Sequence, residues 1–238
     1  MIEENYKYVI TFDIEWAPDF AIQYCLELLD RFNVKATFFA THRTDFNKEI
    51  IKKGHILGIH PNFLPSSSHG NEVKEIINNC LNFSPDAWCM RSHSLVQSSP
   101  LLHDIFKQYP QLTLDVSLFM HRSNFAHLVK WDFYGVEFDR LLYNWEDDAE
   151  FSKQRFSDSD DLFFGKLTVY DFHPIHVYLN SSNGTEYASL KESLSGKSIA
   201  DTSMSHAHPF KNRGNGTETF LRRILKSDAN SITLDKIK

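Results

Sequence analysis

Two carboxylates stand just after the first apolar run of the chain, in the segment Thr11-Phe12-Asp13-Ile14-Glu15-Trp16. The preceding residues, Tyr8-Val9-Ile10, are typical of a buried strand. Because side chains alternate between the two faces of a strand, Asp13 and Glu15 are predicted to point the same way. Paired carboxylates at a strand end can supply a metal ligand and a proton acceptor, so this segment is a candidate hydrolytic site.

Further polar side chains follow other predicted strands. They are His60, Arg91, His93, His173 and His176. Imidazole and carboxylate ligands together suit zinc or a similar divalent metal. A catalytic site of this kind keeps one position open for water, whose pKa the metal lowers toward neutrality. With a carboxylate base and a cationic histidine acid, the set contains the groups needed to hydrolyse an amide or an ester.

These side chains meet only if their strands share one sheet. Predicted strands cover residues 6–12, 36–40, 56–59, 88–91 and 112–118. Predicted helices cover residues 19–32, 44–53, 70–81 and 100–109. Such alternation predicts an α/β fold whose parallel sheet has helical crossovers. In α/β barrels active sites gather at the C-terminal ends of the strands, which is where the candidates lie.

The pattern is looser after about residue 120. The predicted elements there are one or two strands within 131–143, a strand at 167–172 and a helix at 217–226. The acidic and polar composition of residues 145–161 predicts a loop or lid. The run Glu146-Asp147-Asp148 is predicted to be a solvated acidic patch. Residues 190–209 are predicted to be irregular, and we expect one domain over 1–238.

Composition excludes several classes of protein. The 238 residues carry a formal net charge of −6 and no basic run, so a nucleic-acid partner is not expected. No apolar stretch reaches the length of a membrane span, and the acidic N-terminus does not resemble a signal peptide. Three cysteines without CxxC spacing predict no disulfide framework. A cytoplasmic location is therefore predicted.

Five segments, in their order and spacing, resemble the polysaccharide deacetylase family, also called the NodB-homology or family-four carbohydrate esterase family. Thr11-Phe12-Asp13 is similar to its Thr-Phe-Asp-Asp-Gly motif, and Lys35-Ala36-Thr37-Phe38-Phe39 to its Ala-Thr-Phe-Phe. Gly54-His55-Ile56-Leu57-Gly58-Ile59-His60 is similar to Gly-His-Glu-Ile-Gly-Asn-His. Arg91 and His173 match the arginine of the third motif and the late histidine.

The resemblance implies a distorted, seven-stranded (β/α) TIM-like barrel of the NodB-homology type. It also implies metal-dependent removal of an acyl group, usually acetyl from an N-acetyl sugar. In these terms Asp13 is the general base, Arg91 orients that base and His173 is the general acid. A second aspartate and two histidines hold the metal in the family.

The chain departs from the family at the second aspartate, because Ile14 stands there and cannot bind a metal. Glu15 is the predicted replacement ligand, and Asp19 is a weaker candidate. The sequence leaves open whether Asp13 or Glu15 is the metal ligand.

The histidine motif and the third motif also differ. The family's second histidine normally lies four residues after the first, and Leu64 stands there in this chain. His69 is therefore predicted to join His60 and Glu15 on the metal. The third motif reads Arg91-Ser92-His93-Ser94-Leu95, without its usual proline and glycine. This is expected to alter the substrate groove.

The predicted function is a metal-dependent deacetylase, with zinc favoured and a carbohydrate as substrate. It would release an N-acetyl or O-acetyl group from a sugar intermediate in surface polysaccharide or O-antigen-type glycan biosynthesis. One alternative is a degenerate barrel that binds a glycan or a partner without hydrolysis. Another is hydrolysis of other non-peptide carbon–nitrogen bonds, including those of cyclic ureides.

Overall fold

The structure, a computed structural model, describes residues 6–153 and 156–237. Its strands are β1 (Lys7–Asp13), β2 (Thr37–Ala40), β3 (Ile56–Ile59), β4 (Cys89–Met90), β5 (Leu114–Phe119), β6 (Leu128–Phe133), β7 (Val136–Tyr143), β8 (Trp145–Glu146), β9 (Leu167–Phe172) and β10 (Asn230–Ser231). Its helices are α1 (Asp19–Arg31), α2 (Phe46–Lys52), α3 (Val73–Phe83), α4 (Ser99–Gln108), α5 (Asp147–Phe151), α6 (Pro174–Leu179), α7 (Thr185–Ser193), α8 (Met204–Ala207) and α9 (Thr217–Leu225). In the first half these bounds agree with the predicted ones to within a few residues.

The strands form one curled sheet in the order β6-β7-β5-β4-β3-β2-β1-β9-β8, with β10 beside the start of β1. Among the described pairings only that of β6 with β7 is antiparallel. Asn144 alone separates β7, which pairs with β5, from β8, which pairs with β9. The two ends of the sheet therefore meet at residues 136–146. The predicted α/β, barrel-like fold of the NodB type is confirmed.

Asn144 makes this junction with its own amide. Its backbone N–H donates to Val169 O at 3.2 Å, and its Oδ1 accepts from the Val169 N–H at 2.8 Å. Its Nδ2 donates to Ser123 O at 2.8 Å. The side chain is fully buried, so these bonds replace water at the point where regular pairing stops.

Side-chain alternation in β1 determines what each face of the sheet carries. Tyr8, Ile10 and Phe12 pack in the large cluster formed with α1, α6 and α9. Val9 faces the other way, into an apolar cluster with Phe39, Cys89, Val116 and Val169 from neighbouring strands. Residues two and four positions after Val9 share its direction, so Thr11 and Asp13 extend the interior face toward the C-terminal strand ends.

Two predicted irregular segments contain regular structure. Residues 145–161 include β8 and α5, and residues 190–209 include the end of α7 and all of α8. Cys25, Cys80 and Cys89 are buried and free. Within the described residues no helix is both long enough and apolar enough to cross a membrane.

Candidate active site

A buried polar layer covers the apolar interior of the barrel. Arg91 Nη1 donates to Asp13 Oδ1 at 2.9 Å and also to Asp171 Oδ1. Thr11 Oγ1 donates to Asp171 Oδ1 at 2.9 Å, and Arg91 Nε donates to Val116 O at 3.0 Å. Arg91 and Asp171 are completely buried. The guanidinium therefore has a fixed position, and it holds Asp13 by one oxygen only.

Aromatic rings enclose the Arg91 guanidinium on two sides. Its central carbon lies 4.7 Å from the centre of the Phe39 ring and 4.2 Å from that of Tyr143. Cation–π contacts of this kind favour a charge that has been removed from water. Burial raises the pKa of Asp171 well above its ordinary value, although Arg91 opposes the shift. One of the two carboxyls that share Arg91 is therefore expected to keep its proton.

A carboxylate and two imidazoles meet in front of this layer. Glu15 Oε1 lies 2.7 Å from His60 Nε2 and 2.6 Å from His93 Nδ1. His60 Nε2 is also 3.6 Å from Asp13 Oδ2. Burial alone would raise the pKa of Glu15, but the hydrogen bonds from His60 and His93 lower it below its ordinary value. Glu15 is therefore ionised and available as a ligand.

Two turns with unusual backbone angles present this group. β1 ends at Asp13, and Glu15 and Trp16 follow with φ of 48° and 51°. Ser94 and Leu95, next to His93, have φ of 51° and 54°. Residues other than glycine rarely adopt these angles, and such strain tends to occur at functional sites. Glu15 thus reaches the site through a left-handed turn and not, as predicted, by alternation along the strand.

His69 lies apart from this group, contrary to the predicted ligand set. Its Nδ1 accepts from the Asn62 N–H at 3.0 Å, and its Nε2 donates to Thr41 O at 2.6 Å. Burial lowers its pKa, which fits a neutral ring with both nitrogens in use. The structure brings His93, and not His69, to Glu15 and His60.

Asp19, the weaker candidate ligand, is also outside the group. It begins α1, where its Oδ1 accepts from Thr44 Oγ1. Ile14, which replaces the family's second aspartate, is completely buried in the apolar cluster on the helix side of the sheet. Leu64 is 39% exposed, so its position in the family pattern contributes nothing to the site.

His173 stands at the end of β9 and is held by Asp147. Its Nδ1 lies 2.6 Å from Asp147 Oδ1, and its backbone N–H donates to Asp147 Oδ2 at 2.9 Å. Burial alone would lower the pKa of His173, but Asp147 and Asp148 raise it well above its ordinary value. His173 is therefore a cation at neutral pH, with Nε2 free to act.

The acidic run after β8 is not the solvated patch that the sequence predicted. Asp147 is completely buried on His173, and Asp148 Oδ1 lies 3.2 Å from His176 Nε2. Glu146 Oε2 accepts from the Tyr143 hydroxyl at 3.0 Å. Burial raises the pKa of Glu146 to about 7. The short helix α5 thus supplies a wall of the site.

One cavity of about 190 Å³ connects these groups. Asp13, Glu15, His93 and His173 line it, together with Glu146, Asp148, His176 and Tyr187. Arg91 and Asp147 lie outside this lining and hold Asp13 and His173 by hydrogen bonds. The predicted base, acid and orienting arginine therefore lie together with two of the three predicted ligands.

Three groups have metal-binding types and spacing, with their ligand atoms within 4.8 Å of one another: Glu15/His60/His93, Asp148/His173/His176 and Asp13/Asp171/His173. The first group offers two imidazoles and one carboxylate, and the predicted general base Asp13 lies beside it. This combination suits a catalytic zinc-like ion. Its present separations of 2.6 and 2.7 Å are hydrogen bonds. Ligands about 2.0–2.2 Å from a tetrahedral ion lie roughly 3.3 Å apart, so these side chains would separate by roughly 0.6–0.7 Å around it.

Sequence reasoning missed Asp147 and Asp171 and gave His93 no role on the metal. The sequence contained a pattern that could have identified two of these residues, Asp171 and His93. Asp171 shares a strand face with Val169 in β9, so alternation places it beside Thr11, on the same face as Asp13. His93 lies two residues beyond Arg91, at the same end of the sheet. Nothing in an acidic run distinguishes Asp147 from a surface carboxylate.

An acid, a base and a metal-ligand group at the C-terminal strand ends of such a barrel are the groups that metal-assisted hydrolysis requires. The family model for WbmS-like polysaccharide deacetylases matches residues 10–191. The chain belongs to this polysaccharide deacetylase family. No curated protein matches the chain.

A solved structure from Bordetella bronchiseptica is similar over most of both chains. That protein is described as a polysaccharide deacetylase involved in O-antigen biosynthesis. It shares 31% identity, with 93% of this chain and 90% of that chain covered and a TM-score of 0.79. A family-four carbohydrate esterase pseudoenzyme from Bacillus anthracis matches at 12% identity, with 100% of this chain and 66% of that chain covered and a TM-score of 0.53. At that identity the second match shows the fold alone.

Proposed function

We propose that the protein is a metal-dependent deacetylase that removes an acetyl group from an N-acetylated sugar during the assembly of a surface glycan. The observation that carries the proposal is one cavity lined by Asp13, Glu15, His93 and His173. The described involvement of the Bordetella relative in O-antigen biosynthesis supports this class of glycan.

Glu15, His60 and His93 are the proposed ligands of the cation. When bound there, a zinc-like ion supplies Lewis acidity toward the acyl oxygen and lowers the pKa of a water molecule. The three ligands follow three strands of the same sheet, β1, β3 and β4. His60 is almost completely buried, so this group opens to the cavity on the side of Glu15 and His93.

Asp13 is the proposed proton acceptor. Arg91 holds Asp13 Oδ1, and Asp13 Oδ2 is directed toward His60 at 3.6 Å. A base fixed by one oxygen keeps the other in position for the attacking water. Because Arg91 is buried between two rings, the orientation of Asp13 is set before substrate binds.

His173 is the proposed proton donor to the leaving nitrogen. Asp147 holds Nδ1, which leaves Nε2 facing the cavity, and the raised pKa keeps the ring protonated at neutral pH. Breaking an amide needs such a donor because an unprotonated amine anion is a poor leaving group.

Acetate release from N-acetylated oligosaccharides and N-acetylated sugar nucleotides tests the proposal. Protein stripped with a chelator is compared with protein given one equivalent of zinc or cobalt. We expect activity only with the cation, and we expect Asp13→Asn to lower kcat by about 10²–10⁴-fold while still binding cobalt. Asp86→Asn, at an exposed position, is the matched control.

Two results would contradict this function. The first is an absence of acetate from amide and ester substrates alike when the cation is bound. The second is an absence of stoichiometric divalent metal in protein loaded under the same conditions, which would favour the degenerate barrel.

A further inference from the structure

We infer that Asp148, His173 and His176 form a second divalent-cation site in the same cavity, and that a cation bound there inhibits the enzyme. The site differs from the proposed catalytic group because it shares no residue with Glu15, His60 and His93. It takes a zinc-like ion, since two imidazoles and one carboxylate are its ligands.

The separations in this second group already suit a metal ion. Asp148 Oδ1 lies 3.2 Å from His176 Nε2, close to the roughly 3.3 Å between ligands of a tetrahedral zinc. The three ligand atoms lie within 4.8 Å of one another. Because Asp147 occupies Nδ1 of His173, Nε2 is the nitrogen left for a cation.

Both imidazoles have an outer partner on the nitrogen that the ion would not use. His173 Nδ1 bonds Asp147 Oδ1 at 2.6 Å, and His176 Nδ1 bonds Ser181 Oγ at 3.0 Å. Metal-ligating histidines are typically oriented by such partners. By contrast, the Nδ1 of His60 has no partner among the described residues. Hydrogen bonds to surrounding residues therefore orient both histidines of the second group, whereas His60 of the first group has no such bond from its Nδ1 within the described residues.

Neighbouring aromatic rings also restrict the movement of the His176 side chain. Phe151 and Tyr187 pack edge to face against His176, with ring centres 4.8 and 4.9 Å away. Asp148 is 52% exposed, so the group has an open side through which a hydrated ion can enter. Asp147, which holds His173, adds a further carboxylate close by, which favours a cation.

Inhibition follows from the use of His173. A cation that binds His173 Nε2 displaces the proton from that nitrogen into solvent, so the ring has no proton there to give to the leaving group. This consequence depends on the proposed function, whereas the binding of the second ion does not.

Cobalt titration of the chelator-stripped protein, followed by calorimetry and visible absorption, tests the site. We expect two binding steps, the second weaker than the first, because water screens the charge of Asp148, whose side chain is 52% exposed, more than that of Glu15, which is 21% exposed. Asp148→Asn and His176→Gln are expected to remove the second step, and Glu15→Gln to remove the first. His208→Ala and Glu192→Gln change exposed side chains and serve as matched controls with two steps.

Activity provides the second readout. Acetate release should rise with the first equivalent of zinc and fall at least threefold when excess zinc fills the second site. Asp148→Asn should lose that fall relative to its own activity at one equivalent of zinc, whatever its effect on the pKa of His173. Asp148 is half exposed, so this variant is expected to fold even if His176→Gln does not.

A single binding step in the unchanged protein would overturn the inference, as would a second step that survives in both variants. Two steps without any acetate release would count against the proposed function and leave the second site standing.

Discussion

The imidazole of His93 touches the same Glu15 oxygen as His60, whereas both nitrogens of His69 are bonded to the backbone. We therefore expect His93→Ala to weaken the first cobalt-binding step by more than the 10–100-fold that loss of an outer partner costs. His69→Ala should leave that step within a few-fold of its original affinity. Absorption titration of both variants provides the measurement.

His69→Ala should instead lower the free energy of unfolding. It leaves the buried Asn62 N–H and Thr41 carbonyl without partners, which costs about 1–3 kcal/mol for each unsatisfied group. Denaturant unfolding of this variant, with exposed His208→Ala as control, measures the loss. If cobalt binding failed in His69→Ala and survived in His93→Ala, the ligand set predicted from the sequence would be restored.

Residue spacing explains why sequence reasoning chose His69. The family pattern fixes a histidine relative to His60, and when Leu64 occupies that position the next histidine along the chain is His69. The residues that lie close to His60 in space come instead from the C-terminal ends of neighbouring strands. Arg91 directly follows β4, and His93 lies two residues later. The position of Asp13 was predictable because strand alternation determines it, whereas the turn at Glu15 has no signal such as glycine.

Among the elements, α5 contributes Asp147, which raises the pKa of the proposed acid His173. The pKa of His173 is raised in the folded protein, so the proton is present below that pKa and lost above it. Asp147→Asn removes one of the charges that raise it. We expect the high-pH decline of kcat to begin at a lower pH, with little change in KM, in a pH profile at limiting zinc.

The same shift has a consequence for stability. A group whose folded pKa exceeds its unfolded value of about 6.5 stabilises the protein fully below that value and loses this contribution as pH rises through the folded pKa. In Asp147→Asn the folded pKa is lower, so the total loss should be smaller and should be complete at a lower pH. An unchanged kcat profile would mean that Asp147 has only a structural role.

β3 and β4 approach so closely that only glycine fits at position 58. A Cβ on Gly58 would lie 2.8 Å from Cys89 O and 2.8 Å from Phe39 Cδ1. Gly58→Ala is therefore expected to cost about 1–3 kcal/mol of unfolding free energy, as overpacking does. Gly214→Ala, whose nearest neighbour would be 3.6 Å away, is the matched control. Equal denaturation midpoints for the two variants would contradict this reading.

Element prediction succeeded where periodicity was strong and failed where it was absent. β9 was predicted with its observed bounds because it is rich in β-branched and aromatic residues, and α1 was predicted because its apolar stripe is regular. α5 has only five residues, mostly acidic, and its buried face is polar. Tertiary partners, chiefly His173 and Arg122, determine its burial, and a local pattern cannot show them.

At the scale of the whole molecule, the barrel follows from alternation of strands and helices, but its closure does not. Closure depends on Asn144, which bridges the end of β7 to β9 with its side-chain amide. A lone asparagine between two apolar strands reads as an ordinary turn residue. The fold class was therefore predictable, and the meeting of the sheet ends at 136–146 was not.

The proposed cation joins segments that are otherwise far apart in sequence, since Glu15, His60 and His93 follow β1, β3 and β4. A ligand that binds only the folded chain at 100 times its dissociation constant adds about 2.7 kcal/mol. For a chain of this size we expect the unfolding temperature to rise by about 5–10 °C with zinc and to return with a chelator. Glu15→Gln should abolish most of the rise, because it removes the shared carboxylate, while Asp148→Asn should retain most of it. A rise that Glu15→Gln leaves intact, measured by thermal unfolding at one zinc equivalent, would place the stabilising ion elsewhere.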